Sequence, residues 1–290
     1  MSGSLCCDGS VSDNRPELLL RLAEQVVAEA AEFVRRRRVQ IIDSASGGAA
    51  VRAKSSPTDP VTLADTETEQ LVRDRLAQLR PGDSVLGEEG GGTHSDGAVR
   101  WVVDPIDGTV NFLYGIPAYA VSIAAQVDGV SVAGAVADVV GGRVYSAALG
   151  LGAQVRADGG TRQLACNRVT DLSMALLGTG FGYAPDRRAA QAALLARMLP
   201  EVRDVRRIGS AALDLCMVAA GRLDAYYEHG LRVWDWAAAA LIAAEAGALV
   251  VLPKSEGLGD RAELLLAAAP GVGAQLIDLL DRNAGLHSLR

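Results

Sequence analysis

Four apolar runs between Ala118 and Arg156, separated by short Asp-Gly and Gly-Gly breaks, constrain the fold more than any other feature of the chain. Parallel strands need a crossover of a dozen or more residues, so strands joined this tightly must run antiparallel. Ala118 to Val127, Val130 to Val139, Arg143 to Ala148 and Ala153 to Arg156 therefore predict a meander that ends near Asp158-Gly159-Gly160. Two earlier runs, Ser84 to Gly87 and Arg100 to Ile106, read as strands feeding it.

Helices flank this sheet in the sequence. One is predicted over Arg15 to Arg38, capped by Asp13 or Asn14, with Pro16 in its first turn. Its apolar stripe is Leu19, Leu22, Ala23, Val26, Val27, Ala30 and Phe33, and Arg35 to Arg38 read as a solvated group complementing the helix dipole. A second is predicted over Val61 to Leu79, ended by Pro81-Gly82, with the weakly structured segment Ser44 to Ala50 between the two.

After Ala175 the pattern alternates. Strands are predicted at Leu176 to Thr179, Val202 to Ile208, Ala225 to Glu228, Leu249 to Leu252 and Leu264 to Ala268. Helices are predicted at Asp186 to Met198, Ala211 to Ala220, Trp234 to Ala246 and from Gly271. Such alternation places helices on both faces of a sheet. The chain thus divides into a disordered tail (1–14), an α+β half with the antiparallel sheet (15–158) and an α/β half (159–290).

A net charge of −7 over 290 residues argues against nucleic acid or an anionic membrane as the main partner. The apolar region Trp236 to Leu252 carries Glu245 and Gly247 and is too short to span a bilayer. Cys6, Cys7, Cys166 and Cys216 have neither metal-ligand nor disulfide spacing, and Cys216 reads as a small buried hydrophobe. No apolar stretch precedes Cys6, so a cytoplasmic setting is the expectation.

The chemistry-bearing residues are carboxylates at element ends. Trp101-Val102-Val103 delivers Asp104, Pro105 stiffens the exit, and Asp107, Gly108 and Thr109 follow where a short helix can open and offer N–H groups to a phosphate. Val85-Leu86-Gly87 delivers Glu88 and Glu89, and Asp235 opens a late apolar helix. Each alone reads as a cap or a solvated loop acid. Convergence of several would drive their pKa values upward and call for hard cations, and an all-oxygen donor set points to Mg²⁺, with Mn²⁺ as a substitute, over Zn²⁺. Two such ions roughly 4 Å apart would activate a water and stabilise the leaving oxygen of a phosphate ester.

The run Trp101-Val102-Val103-Asp104-Pro105-Ile106-Asp107-Gly108-Thr109-Val110-Asn111-Phe112 resembles the first signature of the lithium-sensitive inositol monophosphatases. Trp234-Asp235-Trp236-Ala237-Ala238 through Glu245-Ala246-Gly247 resembles their second, and Lys54 to Asp59, Asp65 and Gly87-Glu88-Glu89 match in order and spacing. The resemblance covers Arg15 to Arg290. It implies a layered α-β-α-β-α sandwich of the inositol monophosphatase and fructose-1,6-bisphosphatase type, assembled as a homodimer. It also implies a first Mg²⁺ on Glu88, Asp104 and the Ile106 carbonyl, a second on Asp104, Asp107 and Asp235, a third near Glu88 through water, and inhibition by Li⁺. Thr109, oriented by Asp65, would position the attacking water, with Gly108 and Thr109 N–H groups on the phosphate and no phosphoenzyme. Glu89 would act on the water network, and Lys54 would give electrostatic support.

Arg207-Ile208-Gly209-Ser210-Ala211-Ala212 is similar to the family segment that approaches the inositol ring, and Glu228 matches the glutamate that accepts ring hydroxyls. With Asp107, Asp235, Gly209, Ser210 and Ala211 in the pocket, the resemblance favours myo-inositol monophosphate over histidinol phosphate, fructose-1,6-bisphosphate and phosphoadenosine phosphate. Some bacterial relatives also bind the transcription machinery, which would make the chain partly an interaction module. Asp224 reads as a solvated strand-end acid, His94 and His287 as surface residues, and His229 as a residue at the pocket mouth. Gly90-Gly91-Gly92 lacks the residues of a nucleotide loop and reads as a mobile loop whose order depends on Mg²⁺.

Overall fold

A computed structural model describes residues 13–43, 51–53, 60–92, 99–256 and 262–289. Helix α1 (Pro16–Asp43) runs into a strand pair, β1 (Val51–Ala53) with β2 (Pro60–Thr62), and helix α2 (Leu63–Leu79) follows. The next strands are β3 (Ser84–Gly87) and β4 (Arg100–Asp107), the short helix α3 (Thr109–Tyr114), then β5 (Ala120–Val127), β6 (Val130–Asp138), β7 (Arg143–Ala148), β8 (Ala153–Ala157) and β9 (Gly160–Gln163). These form a seven-stranded sheet in sequence order, β3 parallel to β4 and every later neighbour antiparallel. The meander therefore continues one strand beyond its expected end. Strand β9 is exposed along its whole length and has no apolar alternation to announce it.

The remaining elements are β10 (Leu176–Thr179), α4 (Pro185–Met198), β11 (Asp204–Arg206), α5 (Ala211–Ala219), β12 (Ala225–His229), α6 (Val233–Glu245), β13 (Leu249–Val251), β14 (Leu264–Ala268) and α7 (Pro270–Arg282). The five strands pair in the order β11-β10-β12-β14-β13, parallel on the β11 side and antiparallel across β14.

Side-chain alternation assigns the layers. On β4 and β5, Trp101, Val103, Val121 and Ile123 face α1 and α2, whereas Val102, Ala120 and Ala124 face α5 and α6. On β12 and β14, Tyr226, Leu265 and Ala267 pack on that same helix pair, whereas Ala225, Tyr227, Leu264 and Leu266 pack under α4 and α7. The result is the layered α-β-α-β-α sandwich. Its middle helices are almost wholly apolar because they are covered by sheets on both sides. A run of alanines in α6 lets the layers approach closely: a Cβ at Gly134 of β6 would lie 2.8 Å from the Ala238 Cα. No helix among the described residues is long and apolar enough to cross a membrane.

Helix α1 overruns its expected end by five residues, so Arg35 to Arg38 do not cap its dipole, although Arg35 and Arg36 are exposed. Arg37 pairs with Glu67 of α2, Arg38 donates to the Phe112 carbonyl of α3, and Arg35 donates to the Val139 carbonyl just after β6, so these three tie α1 to its neighbours. The buried stripe of α1 includes Ala31 and Val34, while Phe33 and Leu22 are half-buried. Asp224 is also buried rather than solvated, accepting from Asn167 Nδ2 and the Leu176 N–H at 2.7 Å each. Cys216 is fully buried. The calls on the tail with Cys6 and Cys7, Ser44 to Ala50, Lys54 and His94 fall outside the described residues.

Candidate active site

Strand β4 ends in two carboxylates because its ladder breaks there. Its register with β5 shifts between Asp104 and Asp107, and the Asp104 side chain accepts the Ile106 N–H at 3.1 Å. Pro105 fits such an irregular position, since it has no N–H to give to the ladder. The turn into α3 needs φ +96° at Gly108, and a Cβ there would lie 3.0 Å from the carbonyls of Ala118 and Gly209. Gly209, itself at φ +94°, is held by Asn111, whose Nδ2 donates to the Ala118 and Ile208 carbonyls. The two glycine turns thus close against each other and bring α5 to the end of β4.

The start of α5 grips Asp107. Ser210 caps the helix by accepting the Leu213 N–H at 3.2 Å, and its hydroxyl donates to Asp107 Oδ2 at 2.5 Å. The Ala212 N–H donates to the same oxygen at 2.7 Å. Asp235 enters from α6, where its Oδ2 accepts the Arg232 N–H at 2.6 Å as part of the helix start. Ligand atoms of Asp104, Asp107 and Asp235 lie within 4.8 Å of one another. Three distant chain segments meet here.

Such a cluster strains its own charges. Burial pushes the Asp107 carboxyl up to about 6 against its Ser210 and Ala212 hydrogen bonds. Burial raises Asp235 well above the carboxylate range, helped by the nearby charges of Asp107 and Glu88. An all-oxygen set that resists ionisation without a counter-charge fits a hard divalent cation. Glu88 and Ile106 line the same cavity. The Glu88 N–H donates to the Val103 carbonyl, which keeps that residue in register with β4.

Thr109 and Asp65 form the second group. Thr109 Oγ1 lies 3.1 Å from Asp65 Oδ1 and 3.0 Å from the Ile106 carbonyl. Asp65 is fully buried, and its Oδ2 accepts the Thr62 N–H at 2.9 Å as well as the Thr62 hydroxyl, closing a capping box that begins α2. The same helix carries a brace that sequence reasoning missed. Buried Glu69 accepts the N–H groups of Glu89 (2.7 Å) and Gly90 (2.9 Å), and its partner Arg73 donates to the carbonyls of Val85 and Gly91. Gly90 to Gly92 are therefore a bonded turn, with Gly91 bridging back to Gly87, rather than a free loop. Residues 93–98 lie outside the described residues. In the sequence, Glu69 and Arg73 look like an ordinary solvated i,i+4 pair, so nothing there marked them.

The cavity, about 750 Å³ in volume, is also lined by Gly209, Ser210, Ala211 and Glu228 together with Arg187, Arg207 and Asp214. Glu228 accepts from the Tyr226 hydroxyl, and burial lifts its carboxyl to about 7. Gly180 makes room for it, since a Cβ at that position would overlap the carboxylate. Asp214 and Arg187 were not singled out from the sequence. Asp214 did carry a signal, being the one charge in an apolar helix. His229 lines the cavity as expected, while its imidazole is buried and bonded to the Gly285 carbonyl at 2.8 Å. Glu89 stands beside the cavity rather than in its wall, next to the lining residue Glu88.

The similarity of the chain to known proteins follows these same elements. Residues 16–283 match the inositol monophosphatase family. Inositol-1-monophosphatase of Mycobacterium leprae is 68% identical over 285 residues, covering 96% of this chain and 98% of that protein. Inositol-1-monophosphatase SuhB of Mycobacterium tuberculosis is 62% identical over 288 residues, with coverage of 96% and 98%. The solved structure of Mycobacterium tuberculosis SuhB superposes with a TM-score of 0.81 at 57% identity, covering 95% of this chain and all of that one. With its motifs, layered fold and near full-length likeness in agreement, the chain belongs to the inositol monophosphatase family.

Proposed function

We propose that the chain hydrolyses myo-inositol monophosphate to myo-inositol and phosphate by Mg²⁺-dependent attack of water, with no phosphoenzyme. The observation that carries this reading is the convergence of Asp104, Asp107 and Asp235 within 4.8 Å, in a cavity that Glu228 also lines. A phosphate at the carboxylate cluster would place its alcohol against Glu228.

Asp104, Asp107, Asp235, Glu88 and the Ile106 carbonyl would hold the cations. Bound there, they supply charge stabilisation to the phosphoryl group and a lowered pKa to a water. The chain's own contribution is orientation. Asp65 spends Oδ2 on Thr62 and keeps Oδ1 for the Thr109 hydroxyl. A threonine that donates to Asp65 presents its lone pairs outward and can accept a hydrogen bond from a water beside the phosphate. The first N–H groups of α3 have no intrahelical partner by geometry and would be free to donate to a phosphate oxygen. Ser210 and Ala212 keep Asp107 from rotating, which fixes the cluster relative to the pocket. Glu228, in the same cavity, would accept ring hydroxyls.

A substrate panel at fixed Mg²⁺ tests the reading. Inositol 1-phosphate is expected to show a higher kcat/KM than fructose 1,6-bisphosphate, histidinol phosphate or phosphoadenosine phosphate. A clear preference for any of those three would replace it.

A further inference from the structure

Asp214 lies one turn into α5, a helix whose other residues are Ala, Leu, Cys, Met and Val. The residue is 1% exposed, and its Oδ1 has no hydrogen-bond partner. Burying a carboxyl without donors costs several kcal/mol in general, and buried polar groups are nearly always partnered. This one braces nothing through that oxygen. It lies beside Gly178 of β10, where a Cβ would stand 3.2 Å from Oδ1, and the side chain faces the cavity that also holds Glu228. The missing partner is therefore to be sought in what fills the cavity.

The surroundings narrow the chemistry. Glu228 and Asp107 add negative potential, Arg207 opposes it, and burial above all holds the Asp214 carboxyl well above its ordinary range. A cationic ligand group would need a charged carboxylate in a dry place and would face Arg207. A hydroxyl suits the carboxyl whether or not it is protonated, because the hydroxyl both donates and accepts.

We propose that Asp214 is a second hydroxyl-reading group of the pocket, working beside Glu228, so that the site selects phosphate esters whose alcohol carries at least two further hydroxyls. This rests on the polyol phosphatase reading and names the residue that sharpens its selectivity. One carboxyl alone would accept many alcohols. Two carboxyls from different elements, α5 and β12, fix the relative orientation of two hydroxyls and so reject flexible or hydroxyl-poor esters.

The test compares kcat/KM for inositol 1-phosphate with that for p-nitrophenyl phosphate, an ester without ring hydroxyls, in the full chain with Mg²⁺. Asp214→Ala is expected to reduce this ratio at least tenfold, mainly through KM for the inositol ester. Asp214→Asn keeps the volume and one acceptor oxygen, so it serves as the variant safest to fold and is expected to fall at least threefold. An unchanged ratio in both variants, or an equal loss on both esters, would overturn the proposal, since a packing role moves the two esters together. Should the wild type prefer another polyol monophosphate, the ratio is read on that ester. A fall then upholds Asp214 while refuting the inositol assignment. A wild type with no preference for any hydroxyl-bearing ester refutes both.

Discussion

Asp107→Asn is expected to lower kcat/KM at least ~1000-fold, a loss of about 4 kcal/mol of transition-state stabilisation, while the protein remains folded. The size of the effect follows from position. Asp107 is the centre of the cluster, next to Asp104 on the same strand end and to Asp235 from α6. Replacing its charge removes a ligand shared with both neighbours and reduces the charge available to any cation. The fold should survive because the amide oxygen can still accept from Ser210 and Ala212, the two bonds that seat the residue. Removing a carboxylate also relieves repulsion in a site where Asp107 raises the pKa of Asp235. The metal-free variant is therefore expected to melt no lower than wild type at pH 8. Retained turnover would remove Asp107 from the chemistry, and a collapsed melting curve would make its role structural.

The second large effect is the stabilisation conferred by Mg²⁺ and its dependence on pH. In the unfolded chain Asp107 loses its proton near pH 4, as an ordinary aspartate does. In the folded, metal-free protein burial holds the proton up to about pH 6. Over that interval the folded state binds more protons than the unfolded one, so this group's contribution to stability falls as pH rises and stays low above about 6. Asp235 moves in the same direction. A cation that binds the ionised cluster reverses this penalty, and below pH 6 protons compete with it. Saturating Mg²⁺ is expected to raise Tm by ~5 °C or more at pH 8, as for a ligand near 100 times its Kd, and by less than half as much at pH 5.5. Differential scanning fluorimetry with and without EDTA measures it. A shift independent of pH would mean that cations stabilise the protein somewhere other than this cluster.

Much of the architecture was legible because its signals are local. Short turns forced the meander, and apolar runs that end in Asp104 and Glu88 or begin at Asp235 placed the carboxylates at element ends. What the sequence hid depends on packing between distant elements. The Arg35 to Arg38 run looks like a helix terminus until α2 and β6 supply its partners. Strand β9 is polar throughout and pairs only because β8 leaves an open edge beside it. His229 and Asp224 have residue types that usually face water, but the five-stranded sheet and its outer helices enclose both. Within the site, the acids could be enumerated while the parts that aim them could not. Ser210 reaching Asp107 spans 103 residues, and the Glu69–Arg73 brace acts through backbone groups that carry no sequence signature. Glu245, part of the second signature run, proves to be one of these supports. Its carboxylate accepts the N–H groups of Gly150 and Gly152 at 2.8 Å each, pinning the β7–β8 turn to the end of α6.

The account stands on a carboxylate cluster that works through divalent cations on a polyol phosphate. Phosphate release from inositol 1-phosphate by the purified full chain, with Mg²⁺ and then with EDTA, addresses that most directly. Turnover with Mg²⁺ that EDTA abolishes and added Mg²⁺ restores is the predicted result; turnover that persists in EDTA, or none on any polyol phosphate with Mg²⁺ present, would contradict it.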